Sequence, residues 1–307
     1  MQAYPWLDSK QCEAFLCVID TGSFELAAQN LHLTTSAVSQ RVKALEIQLG
    51  TTLLVRSRPC RATHAGQTLV RHLRRTAEME QDLRNDFAGE EMSAIRVALG
   101  VNADSVGSWL LPALAEFLIA ENILLEISID DQTHTHDLLE SGMVLGCISA
   151  EAQAMRGCEA HLLGIMRYHA VASDAFCQRW FQNGMQRDAF RKAPVMTFNR
   201  KDKLQSDFLL QEFGLADNSY PLHFVPATAA YNQAISLGMG WGMIPELMLK
   251  ELTDISANPH KLQKLFPDKP VNIALYWHHW KVQTPRLNRL SDRLRQQAGL
   301  FLRAAAY

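Results

Sequence analysis

Between Asp8 and Gly50 apolar residues recur at helical spacing in three short runs, separated only by a glycine or a tight turn. The first run, Asp8 to Asp20, puts Cys12, Phe15, Leu16 and Ile19 on one face, with Asp8 or Ser9 as N-cap and Gly22 as its end. Ser23 caps a second helix through Leu31, with Phe24, Ala27, Ala28 and Leu31 facing inward. His32 and Leu33 then turn into Thr34. A third helix runs from Thr34 or Thr35 to Leu49, its core stripe marked by Ala37, Val38, Val42, Leu45 and Leu49, and Gly50 is placed to end it in the left-handed conformation. The three together predict helix-turn-helix geometry.

The residues after Gly50 extend that unit. Leu53 to Thr63 has the pattern of a two-stranded wing with a basic tip, and Thr63 caps a proline-free helix from His64 to about Phe87. Leu69, Leu73, Thr76, Met79 or Glu80, and Leu83 form a narrow seam along it, which predicts self-association through this helix. The distribution of charge supports a polyanion partner here. The chain as a whole carries 30 basic and 32 acidic residues, net −2. Thr21–Arg75, by contrast, holds eight basic residues (Arg41, Lys43, Arg56, Arg58, Arg61, Arg71, Arg74 and Arg75) against Glu25 and Glu46.

Beyond a hinge expected at Gly89–Ser93 the pattern changes to strands alternating with helices. Strands are predicted at Ile95–Val101, Leu124–Ile129, Val144–Ser149, Tyr168–Ala172, Val195–Phe198, His223–Val225, Gly242–Ile244 and Ile273–Trp277. Helices are predicted at Trp109–Ala120 and Thr135–Ser141 and from about Pro285. This alternation implies a mainly parallel sheet with ligands gathering at strand C-terminal ends. The expected organisation is a winged helix-turn-helix at 1–63, a linker helix at 64–88 and an α/β ligand-binding domain at 89–307. Six scattered cysteines without a CxxC pair, no stretch approaching the ~20 apolar residues of a membrane span, and a start without signal-peptide character predict a cytoplasmic protein with no membrane partner.

The run Ser23–Gly50, followed by Leu53–Arg56 and Thr63–Gly66, closely resembles the DNA-binding domain of the LysR-type transcription regulators. On that resemblance Ser23, Thr35, Ser36, Ser39, Gln40 and Lys43 offer hydrogen bonds to base edges or phosphates of double-stranded promoter DNA. Arg56, Arg58 and Arg61 on the wing suit phosphates or a minor groove. Val101–Ser105, Trp109–Leu114, Lys192–Val195, Met243–Pro245 and Leu275–His278 extend the resemblance over nearly the whole chain. They narrow it to the branch that senses lysine or arginine and controls a basic amino-acid exporter. The family implies an effector domain of two α/β lobes like the periplasmic binding proteins, a homodimer or homotetramer, and contact with RNA polymerase. A replication-origin or architectural DNA-binding protein, and a regulator of a different amine or acid metabolite, are the alternatives.

An effector pocket is expected where the strands end. Asn102, Ala103, Asp104 and Ser105 follow the first strand and open a helix, so backbone N–H groups and the Ser105 hydroxyl suit an α-carboxylate while Asp104 counters an ammonium. Asp130, Asp131 and Thr133 leave the second strand at the same sheet edge, as acidic partners for a lysine or arginine side chain. Ser149 ends the third strand, and Phe198, Asn199 and Asp202 follow a strand of the other lobe. The basic loop at Lys201–Lys203 is unexpected beside a cationic ligand. His134-x-His136 and His278-His279 have the residue type of metal ligands, but no acid or cysteine stands at a recognisable spacing, so no metal is expected. A Cys147–Cys158 redox pair is suggested only by analogy with peroxide-sensing relatives. No catalytic signature, and no cofactor beyond the effector, is expected.

Overall fold

The computed structural model describes residues 7–87, 94–129, 135–254 and 261–304. The expected hinge at Gly89–Ser93 lies outside them. The chain forms two compact units, Met1–Met92 with Glu140–Met143, and Ser93–Leu139 with Val144–Tyr307.

The first unit contains α1 (Ser9–Thr21), α2 (Phe24–Asn30), α3 (Thr35–Leu49), β1 (Leu54–Val55), β2 (Arg61–Ala62) and α4 (His64–Phe87). Its caps are those of the sequence pattern. Asp8, Ser23 and Thr34 each accept a backbone N–H at a helix start, and Gly22 and Gly50 both sit at φ 66° at a helix end. Phe15, Val18, Ala27, Val38, Val42 and Leu45 are completely buried, so the three stripes meet in one core. Truncating Phe15 in such a setting costs ~3–5 kcal/mol. The start of α4 closes the same core with Leu69 and Val70, whereas Met79 and Leu83 farther along are exposed.

The second unit runs β3 (Ile95–Val101), α5 (Ala103–Ser105), a π-helical turn (Val106–Leu110), α6 (Leu111–Ala120), β4 (Ile123–Ile129), α7 (Thr135–Glu140) and β5 (Gly146–Ser149). It continues with β6 (Cys158–Ser173), α8 (Asp174–Trp180), α9 (Arg187–Lys192), β7 (Val195–Thr197), α10 (Leu204–Phe213), β8 (Leu222–Phe224) and α11 (Thr228–Ser236). The remaining elements are β9 (Gly242–Pro245), α12 (Glu246–Asp254), β10 (Leu262–Lys264), β11 (Val271–Trp280) and α13 (Pro285–Phe301).

The sheet is mixed, which corrects the expectation of a mainly parallel one. β3 pairs in parallel with β4 and β5, and β7 with β8. β6 pairs antiparallel with β9, β10 and β11, and β11 antiparallel with β5. The reason is that β6 and β11 are long strands carrying the chain out of the β3–β4–β5 lobe and back into it. β6 spans Cys158–Ser173 rather than Tyr168–Ala172: its first four residues alternate polar and apolar, and the apolar run that follows is broken by Gly164 at φ 146°, where the pairing with β11 shifts register. The helix after β3 begins at Ala103, not Trp109. Its run Ala103–Ala120 comes closer to a membrane-spanning composition than the sequence pattern suggests. Trp109, Leu110 and Leu114 are nevertheless fully buried in the core of this unit, as in a core helix.

Candidate DNA-reading surface and ligand cavity

In the first unit Thr35, Ser36, Gln40 and Lys43 are exposed on α3 opposite its buried stripe, and Ser39 is half-buried. Ser23, Thr35, Ser39, Arg56 and Arg58 line one open concavity together with Phe24, Glu25 and Cys60. The structure thus brings together five of the nine predicted residues, while Ser36, Gln40, Lys43 and Arg61 lie outside that concavity. Two of its members are held by local chemistry. Ser23 donates to Glu25 at 2.6 Å while capping α2, which holds the Glu25 carboxyl below its ordinary range. The Arg56 guanidinium sits 5.2 Å above the Phe24 ring, which orients it without consuming its N–H donors.

The wing is fixed by a residue whose role the sequence did not reveal. Glu46 of α3 accepts the backbone N–H groups of Leu53 and Leu54 at 2.8 and 3.3 Å. The Cys60 N–H donates to the Gly22 carbonyl at 2.8 Å, tying the other side of the wing to the α1–α2 turn.

In the second unit a cavity of about 340 Å3 opens at the C-terminal ends of β3, β4, β5 and β7, a size typical of small-molecule sites. Asn102, Ala103 and Asp104 line one side with Ile129, Ala150 and Tyr168; Phe198, Asn199, Lys201, Asp202 and Lys203 line the other. Asp104 accepts the Tyr168 hydroxyl at 2.8 Å, so a residue of β6 orients the carboxylate that β3 delivers. Asn102 is only 3% exposed, and both atoms of its side-chain amide are buried with no protein partner. A buried amide left unbonded costs ~1–3 kcal/mol, so a ligand able to accept and donate gains there.

Other predicted residues stand differently. Ser105 is buried with its hydroxyl unbonded and is not in the cavity wall, because the first turn of the helix rotates it into the core. Ser149 is also fully buried; its hydroxyl accepts the Glu151 N–H at 3.1 Å and shapes the turn that exposes Ala150. Asn199 and Asp202 line the cavity but also organise their own loop. Asn199 accepts from Lys201 and Asp202, and Asp202 from Phe198 and Leu204, each through backbone N–H groups. Asp130, Asp131 and Thr133 lie outside the described residues.

Sequence reasoning missed the floor of the cavity, made by Gln205, Asp207, Thr228, Tyr231, Met243 and Ile273. The Tyr231 hydroxyl accepts from Gln205 Nε2 at 2.9 Å and from the Met243 N–H at 3.0 Å, and burial drives its pKa well above the ordinary phenol value. The unexpected lysines are partly accounted for. Lys203 pairs with Asp217 at 2.7 Å, which raises the lysine pKa and lowers that of the aspartate and directs this charge to Asp217. Cys147 and Cys158 are buried thiols in one small apolar cluster with Leu139 and Val144.

Two family models match: the bacterial regulatory helix-turn-helix protein, lysR family, over residues 9–67, and the LysR substrate binding domain over 91–299. The regulator LysG of Mycobacterium tuberculosis is 39% identical over 300 residues, 97% of this chain and 96% of the relative. ArgP of Klebsiella pneumoniae is 39% identical over 291 residues, 94% of this chain and 95% of the relative. Among solved structures, ArgP from M. tuberculosis superposes with a TM-score of 0.82 at 38% identity, covering 97% of this chain and all of that one. Full-length LysG from Corynebacterium glutamicum with bound effector Arg gives 0.75 at 31%, with the same coverage. Carrying both a winged helix-turn-helix and a two-lobed α/β unit, the chain belongs to the LysR family of DNA-binding transcription regulators, and within it to the LysG/ArgP type.

Proposed function

We propose that this regulator senses a free basic amino acid, lysine or arginine, in the cavity between Asn102 and Tyr231, and thereby controls transcription of an amino-acid exporter gene. The observation that carries the reading is the Asp104 carboxylate, held at the cavity wall by Tyr168 beside the unbonded amide of Asn102. A zwitterionic ligand offers the complementary set: an ammonium for Asp104, and a carboxylate for Asn102 and the N–H groups that open the helix. The arginine bound by the C. glutamicum LysG supports the same ligand class. Effector binding acts by preferring one arrangement of a homodimer or homotetramer on promoter DNA, changing its contact with RNA polymerase. The relatives' role as regulators supports a chain without catalytic activity.

Calorimetric titration of the full-length protein with lysine, arginine, glutamate and leucine tests the reading. Saturable heat with a basic amino acid and none with glutamate or leucine is the expected result. Binding of leucine or glutamate in preference to both basic amino acids would overturn it.

A further inference from the structure

The sequence offers no acidic or cysteine partner near His278-His279, but strand pairing supplies one from far away in the chain. In the antiparallel β6–β11 pair, Glu159 stands opposite His279 and His161 opposite Trp277. Directly opposed residues share a face and residues two apart share it again, so Glu159, His161 and His279 emerge on the same side of the sheet. His278 emerges on the other side, where its Nε2 meets the Glu151 carbonyl at 2.7 Å. One ligand-capable atom from each of the three residues lies within 4.8 Å of the others. His161 Nε2 is 3.2 Å from Glu159 Oε2, and the two imidazoles stack with centroids 5.2 Å apart at 16°.

We propose that Glu159, His161 and His279 form a binding site for a divalent first-row transition ion of the zinc class. Two imidazole nitrogens and one carboxylate are the donor set such ions take, and three protein ligands leave a coordination position for water. The ring that is hardest to adjust is already oriented. His279 is buried and its Nδ1 lies 2.9 Å from the Trp280 carbonyl, which can only accept a hydrogen bond, so the N–H is on Nδ1 and the neutral ring keeps its lone pair on Nε2 for a metal. Trp277, 6.2 Å from His279 between ring centroids, walls one side of the cluster. An ion held at about 2.1 Å from each ligand keeps neighbouring ligand atoms roughly 3–3.4 Å apart. The Glu159–His161 pair already meets that spacing, and rotation of the half-exposed Glu159 and partly exposed His161 closes the remainder. The charge of Arg295, which acts on His279, opposes the ion, although Arg295 is engaged with Asp292 at 3.7 Å.

The site is separate from the effector cavity. His161 precedes the cavity residue Tyr168 by seven positions on β6, roughly 23 Å of extended strand. Its place is the end of β11 that pairs with β5, so a bound ion would clamp together the two strands shared by both lobes.

The experiment uses chelator-stripped full-length protein titrated with Co2+, read by the visible absorption of the coordinated ion, with Zn2+ as competitor. The expected result is one ion per chain and displacement by Zn2+. His161→Ala, which deletes the more accessible imidazole, and Glu159→Gln should each weaken binding at least about tenfold, the lower bound for losing even an outer partner of a metal site. His64→Ala, altering an exposed histidine of the other unit, should leave it unchanged. Thermal unfolding provides the second reading: at one Zn2+ concentration the Tm of the parent should rise more than that of Glu159→Gln, which retains shape and strand pairing. Absence of Co2+ uptake by the parent, or equal uptake by the parent and both ligand variants, would overturn the proposal.

Discussion

Asp104 accepts the Tyr168 hydroxyl and faces a cavity that also receives the unbonded amide of Asn102. Asp104→Asn removes the charge while retaining shape, so it should weaken lysine or arginine binding by ~1.5–3 kcal/mol, the worth of a charge-assisted hydrogen bond. Operator binding without ligand should be unchanged; calorimetry beside gel shifts reads the two separately. His169 gives a second prediction. It is buried, its Nε2 lies 3.1 Å from the Lys264 ammonium and 3.5 Å from Glu246, and its Nδ1 has no protein partner. Burial, followed by the Lys264 and Arg167 charges, lowers its pKa below 6.5 despite Glu246. The folded state therefore binds this proton more weakly than the unfolded one. Its contribution is present above the unfolded value and lost as pH falls through the depressed folded one. Denaturant unfolding followed below pH 6.5 should show stability falling more steeply in the parent than in His169→Gln, and equal slopes would refute the assignment.

At the scale of elements, close approach explains Gly66. A Cβ there would lie 2.1 Å from the Leu53 carbonyl oxygen, in the turn where the wing meets the first residues of α4. The same carbonyl accepts the Thr63 N–H at 2.9 Å, and the Thr63 hydroxyl caps the helix at the Gly66 N–H, so neither side can yield freely. Gly66→Ala should cost at least ~1–3 kcal/mol and weaken operator binding, whereas Gly299→Ala, with open space around it at an exposed position of α13, should be neutral or mildly stabilising. Thermal unfolding of both variants checks the contrast. The helices of this unit were legible because each apolar stripe carries its own punctuation: Asp8, Ser23 and Thr34 in front, Gly22 and Gly50 behind. The sheet was less so. β10 is three residues long with two of them exposed, and nothing local to β6 or β11 encodes the direction in which each meets its neighbours. The cavity divides likewise. Asn102 and Asp104 were readable as a strand-to-helix turn, but Gln205 and Tyr231 lie on helices whose spacing is that of ordinary core, and Tyr168 reaches Asp104 across 64 residues of sequence.

For the molecule as a whole the unfinished surface is the outer part of α4. Its first turns bury Leu69 and Val70 against α1–α3, which satisfies the helix only at that end. Leu73 is partly buried there, while Thr76, Met79 and Leu83 continue the same three- and four-residue steps exposed to solvent, Met79 at 43% and Leu83 at 56%. Among the described residues, this helix of 24 residues buries apolar side chains at its start and leaves them exposed farther along, a seam that the same helix of a second copy would complete. Such a pair presents two α3 helices to DNA at once, which is what half-sites one turn apart require. Leu83→Glu tests this without touching the core of the unit. In a monomer the exposed position tolerates a carboxylate at under ~0.5 kcal/mol, but buried in a helix pair the same carboxylate costs several kcal/mol unless it finds a partner. Sedimentation should therefore show the assembly dissociating or misassembling, with the thermal unfolding of the second unit intact and binding to paired half-sites lost before binding to a single one. An unchanged sedimentation coefficient in the Leu83→Glu protein would place the self-association surface elsewhere.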